Sequence, residues 1–284
     1  MKAAKYTIQQ FNREFPDNLA CLSYLFQARF GASKCPKCGR SDQYHNQADT
    51  SHFVCTCGGH QLSPKKDTIF EKSDTDLYKW FYAMFLMSTS KNGVSAKEIE
   101  RQIGVTYKTA WRMAKQIRKL MEQMPDIFGG IVEADETYVG GKRRGTRGRG
   151  AKGKTPVFGM IERKGGVQAR AVANCKAATV MKLVRENVKI GSTLMTDEFH
   201  SYNSAKACGY KHHTVRHGMK EYVRGKVHTN SIEGFWSQLK RSIDGTHHSV
   251  SPKLLQTYVD QHVYLWNHRT SEKPLFFDLL ARVA

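Results

Sequence analysis

The stretch Ile131-Val-Glu-Ala-Asp-Glu-Thr-Tyr-Val139 decides the fold class, because it predicts a largely buried β-strand that carries an acid. Successive side chains of a strand point to opposite faces, so Asp135 would face away from Val132 and Ala134. Further strand-like runs follow at residues 157–161, 167–173 and 192–197. A helix-like segment at 177–189 precedes the last of them. Three strands, a helix and a strand predict an α/β domain.

Two other acids could join Asp135 at one site. Asp197 ends the apolar run that begins at Leu194, and Glu233 lies in a helix-like segment that follows His228. A single carboxylate at a strand end is more often a cap or an ion-pair partner than a metal ligand. Two aspartates on strands and an acid on a later helix, however, can converge on a pair of Mg²⁺ ions, which prefer carboxylate oxygen.

The charge of the chain indicates a polyanionic partner. Its 284 residues include 45 Lys and Arg against 25 Asp and Glu, which gives a net charge of +20. This surplus predicts nucleic-acid binding and excludes an acidic small-molecule enzyme and a secreted disulfide scaffold. Residues 1–17 have no apolar core of signal-peptide length, and the longest apolar run, residues 80–87, is too short to span a bilayer. We therefore expect an intracellular protein without a membrane segment.

Four of the seven cysteines predict a zinc ribbon. Cys35-Pro-Lys-Cys38 is followed by Cys55-Thr-Cys57, and two cysteine pairs can supply the four thiolates of a tetrahedral zinc site. The second pair is C-x-C instead of the usual C-x-x-C, so His60 stays open as an alternative to Cys57. Zinc would hold together a segment that is too polar to have much core of its own.

A helix-turn-helix is predicted between Ser95 and Met121. Ser95 and Glu98 form a capping-box pattern for a first helix, and Gly104 opens a short turn before a second one. The second helix has an apolar face and an opposite basic face. The basic face consists of Lys108, Arg112, Lys115 and Lys119. Such a helix is typical of major-groove recognition, and a solvated basic face on a surface helix is the alternative.

Residues 140–154 form a Gly-rich basic loop with seven Lys or Arg and no acid. The loop could follow a DNA backbone across the site and become ordered on binding, or it could be merely solvated. The DNA contacts expected in this loop are Lys142, Arg143, Arg144, Arg147 and Arg149. A further contact is expected at Arg241, in the similarly basic stretch 199–243.

Taken in order, these motifs resemble the DDE transposases of bacterial insertion sequences, in the group that has an N-terminal zinc ribbon and is related to Merlin elements. The matching pieces are Cys35-Pro-x-Cys38-Gly, Thr68-Ile-Phe70, Lys91-Asn-Gly-Val-Ser95, Tyr107-Lys-Thr-Ala-Trp111, Glu133-Ala-Asp-Glu-Thr-Tyr-Val-Gly-Gly141, Thr196-Asp-Glu198 and His228-Thr-Asn-Ser-Ile-Glu233. They extend over residues 30–270, nearly the whole chain. The C-x-C pair and Asp67, where relatives often carry Gly, depart from the family pattern.

The resemblance implies an RNase H-like catalytic core in which Asp135, Asp197 and Glu233 bind Mg²⁺ or Mn²⁺. Some relatives have an asparagine as the third member, which would be Asn230, but a carboxylate binds a hard cation better than an amide does. Similar enzymes place a basic residue near the scissile phosphate or the element end, and Lys240 would take that place. Nonspecific phosphate contact is the alternative for this lysine.

The activity implied by the resemblance is DNA transposition. The protein would bind the element ends, cleave phosphodiester bonds by two-metal-ion hydrolysis and join the freed 3′-OH to target DNA by transesterification. Its partner would be double-stranded DNA, on which at least a homodimer assembles, in the bacterial cytoplasm at the nucleoid. Two other classes stay open: an RNase H-like nuclease that cuts without joining, and a domesticated DNA-binding regulator.

We therefore expect an α/β protein of several modules, with an RNase H-like core behind a zinc ribbon and a helix-turn-helix region. The expected boundaries are a helical lead-in at 1–30, the zinc ribbon at 31–75, the helical region with the helix-turn-helix at 76–128, the catalytic core at 129–250 and C-terminal helices at 251–284.

Overall fold

The computed structural model describes residues 5–41, 43–47, 51–140, 153–219 and 221–283. The chain divides into two compact units, which are described separately. The first unit consists of Met1–Leu120 and Thr270–Ala284, and the second consists of Met121–Arg269. None of the helices in these described ranges is long and apolar enough to cross a bilayer.

The N-terminal part of the first unit is mainly helical. Its helices are α1 (Ile8–Glu14), α2 (Asn18–Phe30), α3 (Leu77–Thr89), α4 (Ala96–Ile103) and α5 (Tyr107–Leu120). The predicted lead-in is two helices, because Pro16 interrupts the pattern and the Asp17 carboxylate accepts the Ala20 N–H at 2.8 Å to cap α2. The core of this unit is rich in aromatic rings, such as Phe11 and Phe15, whose centroids lie 5.6 Å apart.

The predicted ribbon is a three-stranded antiparallel sheet between α2 and α3. Its strands are β1 (Tyr44–Asn46), β2 (Phe53–Cys55) and β3 (Gln61–Leu62), in the order β1-β2-β3. Phe53 stacks on Phe26 of α2 with ring centroids 4.0 Å apart. The helix thus supplies the apolar surface that this polar segment lacks. Asp67, the departure from the family pattern, has a φ of 59°, a conformation that Gly adopts at lower cost.

A tight turn joins α4 to α5. The Ser95 hydroxyl caps α4 by accepting the Glu98 N–H at 3.1 Å, and Gly104 ends it with a φ of 67°, in the left-handed region. The reciprocal half of the predicted capping box is not seen. The Glu98 carboxylate instead accepts hydrogen bonds from Arg101 and Gln102, which lie one turn further along the helix.

The second unit is built on a five-stranded mixed sheet. Its strands are β4 (Ile131–Val139), β5 (Thr155–Glu162), β6 (Val167–Ala171), β7 (Thr193–Thr196) and β8 (Lys211–Thr214). The order across the sheet is β6-β5-β4-β7-β8. The pairs β4–β5 and β5–β6 are antiparallel, whereas β4–β7 and β7–β8 are parallel. Strand β8 was not expected, because its sequence Lys-His-His-Thr has no apolar alternation.

Helices cover both faces of this sheet. They are α6 (Ala177–Asn187), α7 (Asn230–Arg241) and α8 (Leu255–Asn267). Val132 and Ala134 of β4 pack with α6 in one buried cluster. The opposite face carries a second cluster, in which Ile161 of β5 packs with α7 and α8. Because side chains alternate along β4, Glu133 and Asp135 lie on the α7 side of the sheet. Asp135 thus faces away from Val132 and Ala134, as predicted.

Two amides of α8 satisfy the free edge of β6. The Gln256 side chain accepts the Ala171 N–H at 2.8 Å and donates to the Ala169 carbonyl at 3.3 Å. Asn267 accepts the Val167 N–H at 2.7 Å and donates to the carbonyl of the same residue at 3.0 Å. These contacts occupy backbone groups with which another strand could otherwise pair.

The C-terminal helices do not form one module. Helix α8 packs on β6 in the second unit, whereas α9 (Leu275–Ala281) packs on α3 in the first. The expected module at 251–284 is therefore divided at residue 269, and the expected core boundary at 250 falls inside the second unit. A local pattern shows that a helix is amphipathic but not which core its apolar face joins.

Candidate active site

The parallel pairing of β4 with β7 brings two of the predicted acids together. Ile131 lies beside Thr193 and Glu133 beside Met195, and Asp135 and Asp197 each follow this last pair by two residues. The two acids are close enough for the charge of Asp197 to raise the pKa of Asp135. Parallel strands run the same way, so both acids lie toward the carboxyl side of the sheet, where α/β proteins place ligand sites.

Asp135 lies in a restricted environment beneath α7. Its Oδ2 accepts a hydrogen bond from the indole N–H of Trp236 at 3.0 Å. Gly159 of β5 is paired directly with Asp135, and a side chain there would overlap the indole ring. Burial, with the negative charges of Glu136, Asp197 and Glu233, raises the pKa of Asp135 to about 7.

Asp197 and its neighbour Glu198 organise the loop after β7. Oδ1 of Asp197 accepts the Phe199 N–H at 3.0 Å. The two carboxylate oxygens of Glu198 accept the backbone N–H groups of His217 and Gly218, both at 2.7 Å. These two bonds lower the pKa of Glu198, against the effect of partial burial. They also hold His217 close to the acids.

Glu233 reaches the site from the first turn of α7. The Thr229 hydroxyl donates to Oε1 of Glu233 at 2.9 Å, and Nε2 of His217 lies 3.5 Å from the same oxygen. The Glu233 side chain remains 46% exposed, so it is open to a ligand. The charge of Glu233 contributes to the raised pKa of Asp135. Asn230, the other predicted third member, is an exposed residue at the start of α7.

Lys240 and Arg241 lie exposed at the end of α7. Seven residues of helix separate Lys240 from Glu233, which is about 10 Å and close to two full turns, so both project from the same side. Arg241 donates from Nε to the Ser237 carbonyl at 3.3 Å. This exposed side of α7 could meet a phosphate backbone.

Four residues at the site were not found from sequence. Trp236 and His217 contact Asp135 and Glu233 as described above, and buried Glu133 forms an ion pair with Arg163 at 2.7 Å. Of the four, only Glu133 could have been predicted from the sequence. It lies two residues before Asp135, and residues i and i+2 of a β-strand share a face. Arg163 lies in a turn and His217 begins a three-residue 3-10 helix, and segments this short have no periodicity from which to predict them.

Tyr202 lies beside the acids in the structure, and His200 follows Asp197 by three residues in the sequence. The Tyr202 side chain is fully buried and its hydroxyl donates to Glu136 at 3.2 Å. Burial and the neighbouring acids raise the pKa of Tyr202 well above its usual value, which makes it a poor nucleophile. His200 is exposed and lies against the Phe199 ring.

The four ribbon cysteines converge. The Sγ atoms of Cys35 and Cys57 lie 3.7 Å apart, those of Cys38 and Cys55 lie 3.6 Å apart, and all four sulfurs are within 4.8 Å of one another. Zinc–sulfur bonds of about 2.3 Å in a tetrahedron require sulfurs about 3.8 Å apart, so the cluster fits one zinc ion. His60 lies outside this group and accepts or donates a hydrogen bond at 2.7 Å with Tyr44.

The pKa values of the first cysteine pair, Cys35 and Cys38, are lowered. Partial burial opposes ionisation of Cys35, but hydrogen bonds from the backbone N–H groups of Cys38 and Lys37 lower its pKa to about 6. The backbone and the side chain of Arg40 lower the pKa of Cys38. A zinc ligand must be the thiolate, so these contacts favour metal binding.

Elsewhere in the described part of the chain, no group of three or more Cys, His, Asp or Glu brings its ligand atoms within 4.8 Å. The carboxylates of Asp135, Asp197 and Glu233 are thus not in mutual contact, as expected for like charges. Their donor set is nevertheless of the type that Mg²⁺ prefers, with three carboxylates from a sheet and a helix.

The predicted basic face of α5 is exposed. Lys108, Arg112 and Lys119 are open to solvent, and Lys115 is half-buried with its Nζ 5.3 Å from the centroid of the Trp111 ring. The opposite face is buried through Ala110, Met113, Ala114 and Ile117. The expected contacts of the basic loop, Lys142, Arg143, Arg144, Arg147 and Arg149, lie outside the described residues.

The sequence is similar to that of a transposase domain family and of two transposon-related proteins. Residues 127–267 match the ISXO2-like transposase domain family. Over 246 residues the chain is 29% identical to an uncharacterized protein in transposable element ISH50 of Halobacterium salinarum, covering 79% of this chain and 82% of that protein. A 72-residue segment is 31% identical to an uncharacterized transposase-like protein of Haemophilus influenzae, covering 25% of this chain and 58% of that protein. With its ISXO2-like domain, the chain belongs to the DDE transposases of insertion sequences.

Proposed function

We propose that this transposase cleaves DNA at the ends of its element and joins the freed 3′-OH to target DNA, using Mg²⁺ or Mn²⁺ held by Asp135, Asp197 and Glu233. The placement of Asp135 on β4 and of Asp197 directly after the neighbouring parallel strand β7 supports the proposal. Glu233 is near enough to contribute to the raised pKa of Asp135. The charges of Asp197 and Glu233 oppose ionisation of Asp135, and a divalent cation held by these carboxylates would offset that effect.

We further propose that the second unit is an RNase H-like core. Three antiparallel strands followed on one side by two parallel strands, in the order β6-β5-β4-β7-β8, support this assignment. Helices on both faces support it as well, since one carries Glu233 and another packs behind β4.

Each group at the site has a separate task in this proposal. Asp135 and Asp197 hold the metals from the sheet, and the Trp236 N–H fixes the orientation of the Asp135 carboxyl. Glu233 is the third ligand, and Thr229 directs its carboxylate. When bound, magnesium lowers the pKa of an attacking water and offsets negative charge on the leaving 3′-oxygen. Asn230 assists from the same turn of α7.

DNA binding would extend beyond the carboxylates. Lys240 and Arg241 would meet the phosphate backbone near the scissile bond, and the basic residues of 140–154 would contact the backbone as well. The zinc-bound ribbon and the helix-turn-helix formed by α4 and α5 would bind the element ends, with the basic face of α5 in the major groove. Since transposition joins two ends, we propose that the protein acts as a homodimer or a larger assembly on DNA.

The test is incubation of the purified protein with a supercoiled plasmid that carries the ends of its element. Reactions in Mg²⁺, Mn²⁺ and EDTA are compared for wild type, Asp135→Asn, Asp197→Asn and the control Asp126→Asn, which alters an exposed aspartate of the same unit. We expect metal-dependent nicking and joined products from wild type and the control. The two site variants should lose at least about 10³-fold in rate while they still bind DNA.

The other outcomes separate the alternatives. Comparable cleavage by either site variant would refute the assignment of the acids. Nicking without joined products would favour a nuclease, and tight binding without metal-dependent cleavage would favour a regulator.

A further inference from the structure

We propose that Glu133 is a positioning residue for the metal site: its buried carboxylate, paired with Arg163, holds the start of α7 and thereby fixes the direction from which Glu233 binds metal. This inference rests on the proposed function, because it concerns Glu233 as a ligand. Glu133 itself does not reach the reacting atoms.

The Glu133 carboxylate is fully buried and has four hydrogen-bond donors. Oε1 accepts from Nε of Arg163 at 2.7 Å and from the Ser231 hydroxyl at 3.0 Å. Oε2 accepts the backbone N–H groups of Ser231 at 2.8 Å and Ile232 at 3.1 Å. These are free N–H groups of the first turn of α7, where a negative charge is favoured by the helix dipole. The side chain of a β-strand therefore caps a helix that begins almost one hundred residues later.

Arg163 secures the segment that leads into the helix. While Nε binds Glu133, its Nη1 donates to the Lys226 carbonyl at 2.8 Å and its Nη2 to the His228 carbonyl at 3.0 Å. Nδ1 of His228 also lies 3.4 Å from Oε1 of Glu133. The guanidinium thus binds both the capping carboxylate and the segment 226–228, which leads to Thr229. The Thr229 hydroxyl in turn donates to Glu233.

The consequence for the site follows from the positions along β4 and α7. Glu133 and Asp135 share one face of β4, so the strand that bears one metal ligand also holds the helix that bears another. Glu233 directly follows Ile232, whose N–H is bound by Glu133. Ligands held by outer groups in this way lose metal affinity when those groups are changed, typically 10–100-fold.

The test measures Mn²⁺ binding by isothermal titration calorimetry to the full-length, zinc-loaded protein without DNA. Glu133→Gln keeps the size of the side chain but removes its charge and half of its acceptor capacity. The matched control is Glu162→Gln on β5, where the carboxylate also accepts two backbone N–H groups, those of Gly129 and Gly130 at 3.0 and 2.8 Å, but does not touch α7. Ser231→Ala, which removes one donor only, is the milder variant should Glu133→Gln fold poorly.

We expect Glu133→Gln to weaken Mn²⁺ binding about 10-fold or more and Ser231→Ala about threefold, with Glu162→Gln unchanged. Plasmid cleavage by Glu133→Gln should recover as Mn²⁺ is raised, because the defect lies in holding metal. Wild-type affinity in both Glu133→Gln and Ser231→Ala, or an equal loss in Glu162→Gln, would overturn the inference. Asp197→Asn is measured in the same way to distinguish the two proposals. If Asp197→Asn loses Mn²⁺ affinity while Glu133→Gln binds as wild type does, only the positioning role is overturned. If Asp197→Asn binds Mn²⁺ with wild-type affinity, the metal site is overturned as well.

Discussion

Replacing Gly159 by alanine should damage the site without touching any of its acids. Gly159 lies opposite Asp135 on β5, and a Cβ there would come within 2.5 Å of Cη2 and 2.7 Å of Cζ2 of Trp236. Trp236 is only 4% exposed and donates its N–H to Asp135, so the ring has little room to move aside. A glycine at this position is what allows the indole to lie between α7 and the sheet.

The cost can be worked out from these distances. Ordinary carbon–carbon contact is about 3.5 Å or more, so the indole would have to retreat by about 1 Å. Overpacking of this kind costs about 1–3 kcal/mol, and loss of the hydrogen bond to Asp135 adds about 1.5–3 kcal/mol if the carboxyl is ionised. In a unit of this size each kcal/mol lowers the melting temperature by about 2–4 °C.

The assay is urea unfolding of Gly159→Ala, Trp236→Phe and the double variant, together with plasmid cleavage. Phe has no counterpart of Cζ2 and Cη2, so Trp236→Phe should cost at least about 1 kcal/mol less in the Gly159→Ala background than in wild type. Gly234→Ala is the matched control, because a Cβ there meets nothing in the protein and Ala favours a helix by about 1 kcal/mol. It should be slightly more stable than wild type.

Additive effects of the two substitutions, within about 0.5 kcal/mol, would show that Gly159 and Trp236 do not interact as the structure indicates. Cleavage by Gly159→Ala at the wild-type rate would refute the role of the indole in orienting Asp135.

Three further predictions concern other parts of the chain. Cys57→Ser should lose bound zinc, measured by atomic absorption, and His60→Ala should keep it. The reverse result would identify His60 as the fourth ligand in place of Cys57. Joint replacement of Lys108, Arg112 and Lys115 by Ala should weaken DNA binding and reduce the slope of log K against log salt by about 2–3, and an unchanged slope would make α5 plain scaffold. Burial raises the pKa of Asp260 to about 6, so the contribution of this residue to stability should fall as the pH rises from about 4 to 6. Asp260→Asn should then be more stable than wild type at pH 7.5 but not at pH 4, and equal urea midpoints at both would contradict this reasoning.

Most strands of the second unit were readable from the sequence. Strand β4 has the predicted bounds, and strands β5 to β7 lie within a few residues of the predicted runs. Alternation correctly placed Asp135 on the face opposite Val132 and Ala134. Cysteine spacing predicted the ribbon, whose sulfurs converge as expected, although spacing alone left Cys57 and His60 open.

Local patterns failed where a segment is polar or where the partner is distant. Strand β8 contains two histidines and a lysine and is held by its parallel pairing with β7. A capping box would have the Glu98 carboxylate accept the backbone N–H of Ser95. The carboxylate instead accepts hydrogen bonds from the side chains of Arg101 and Gln102. Helices α8 and α9 are both amphipathic, yet they join different units.

The sequence by itself determined which residues could do chemistry and on what kind of element each lies, because periodicity and ligand spacing are properties of neighbouring residues. Only the tertiary structure decided which of them meet. Ser231 contacts Glu133 across 98 residues, and Trp236 contacts Asp135 across 101. Such contacts depend on the pairing of β4 with β5 and β7 and on the packing of α7 against the sheet, which no local pattern encodes.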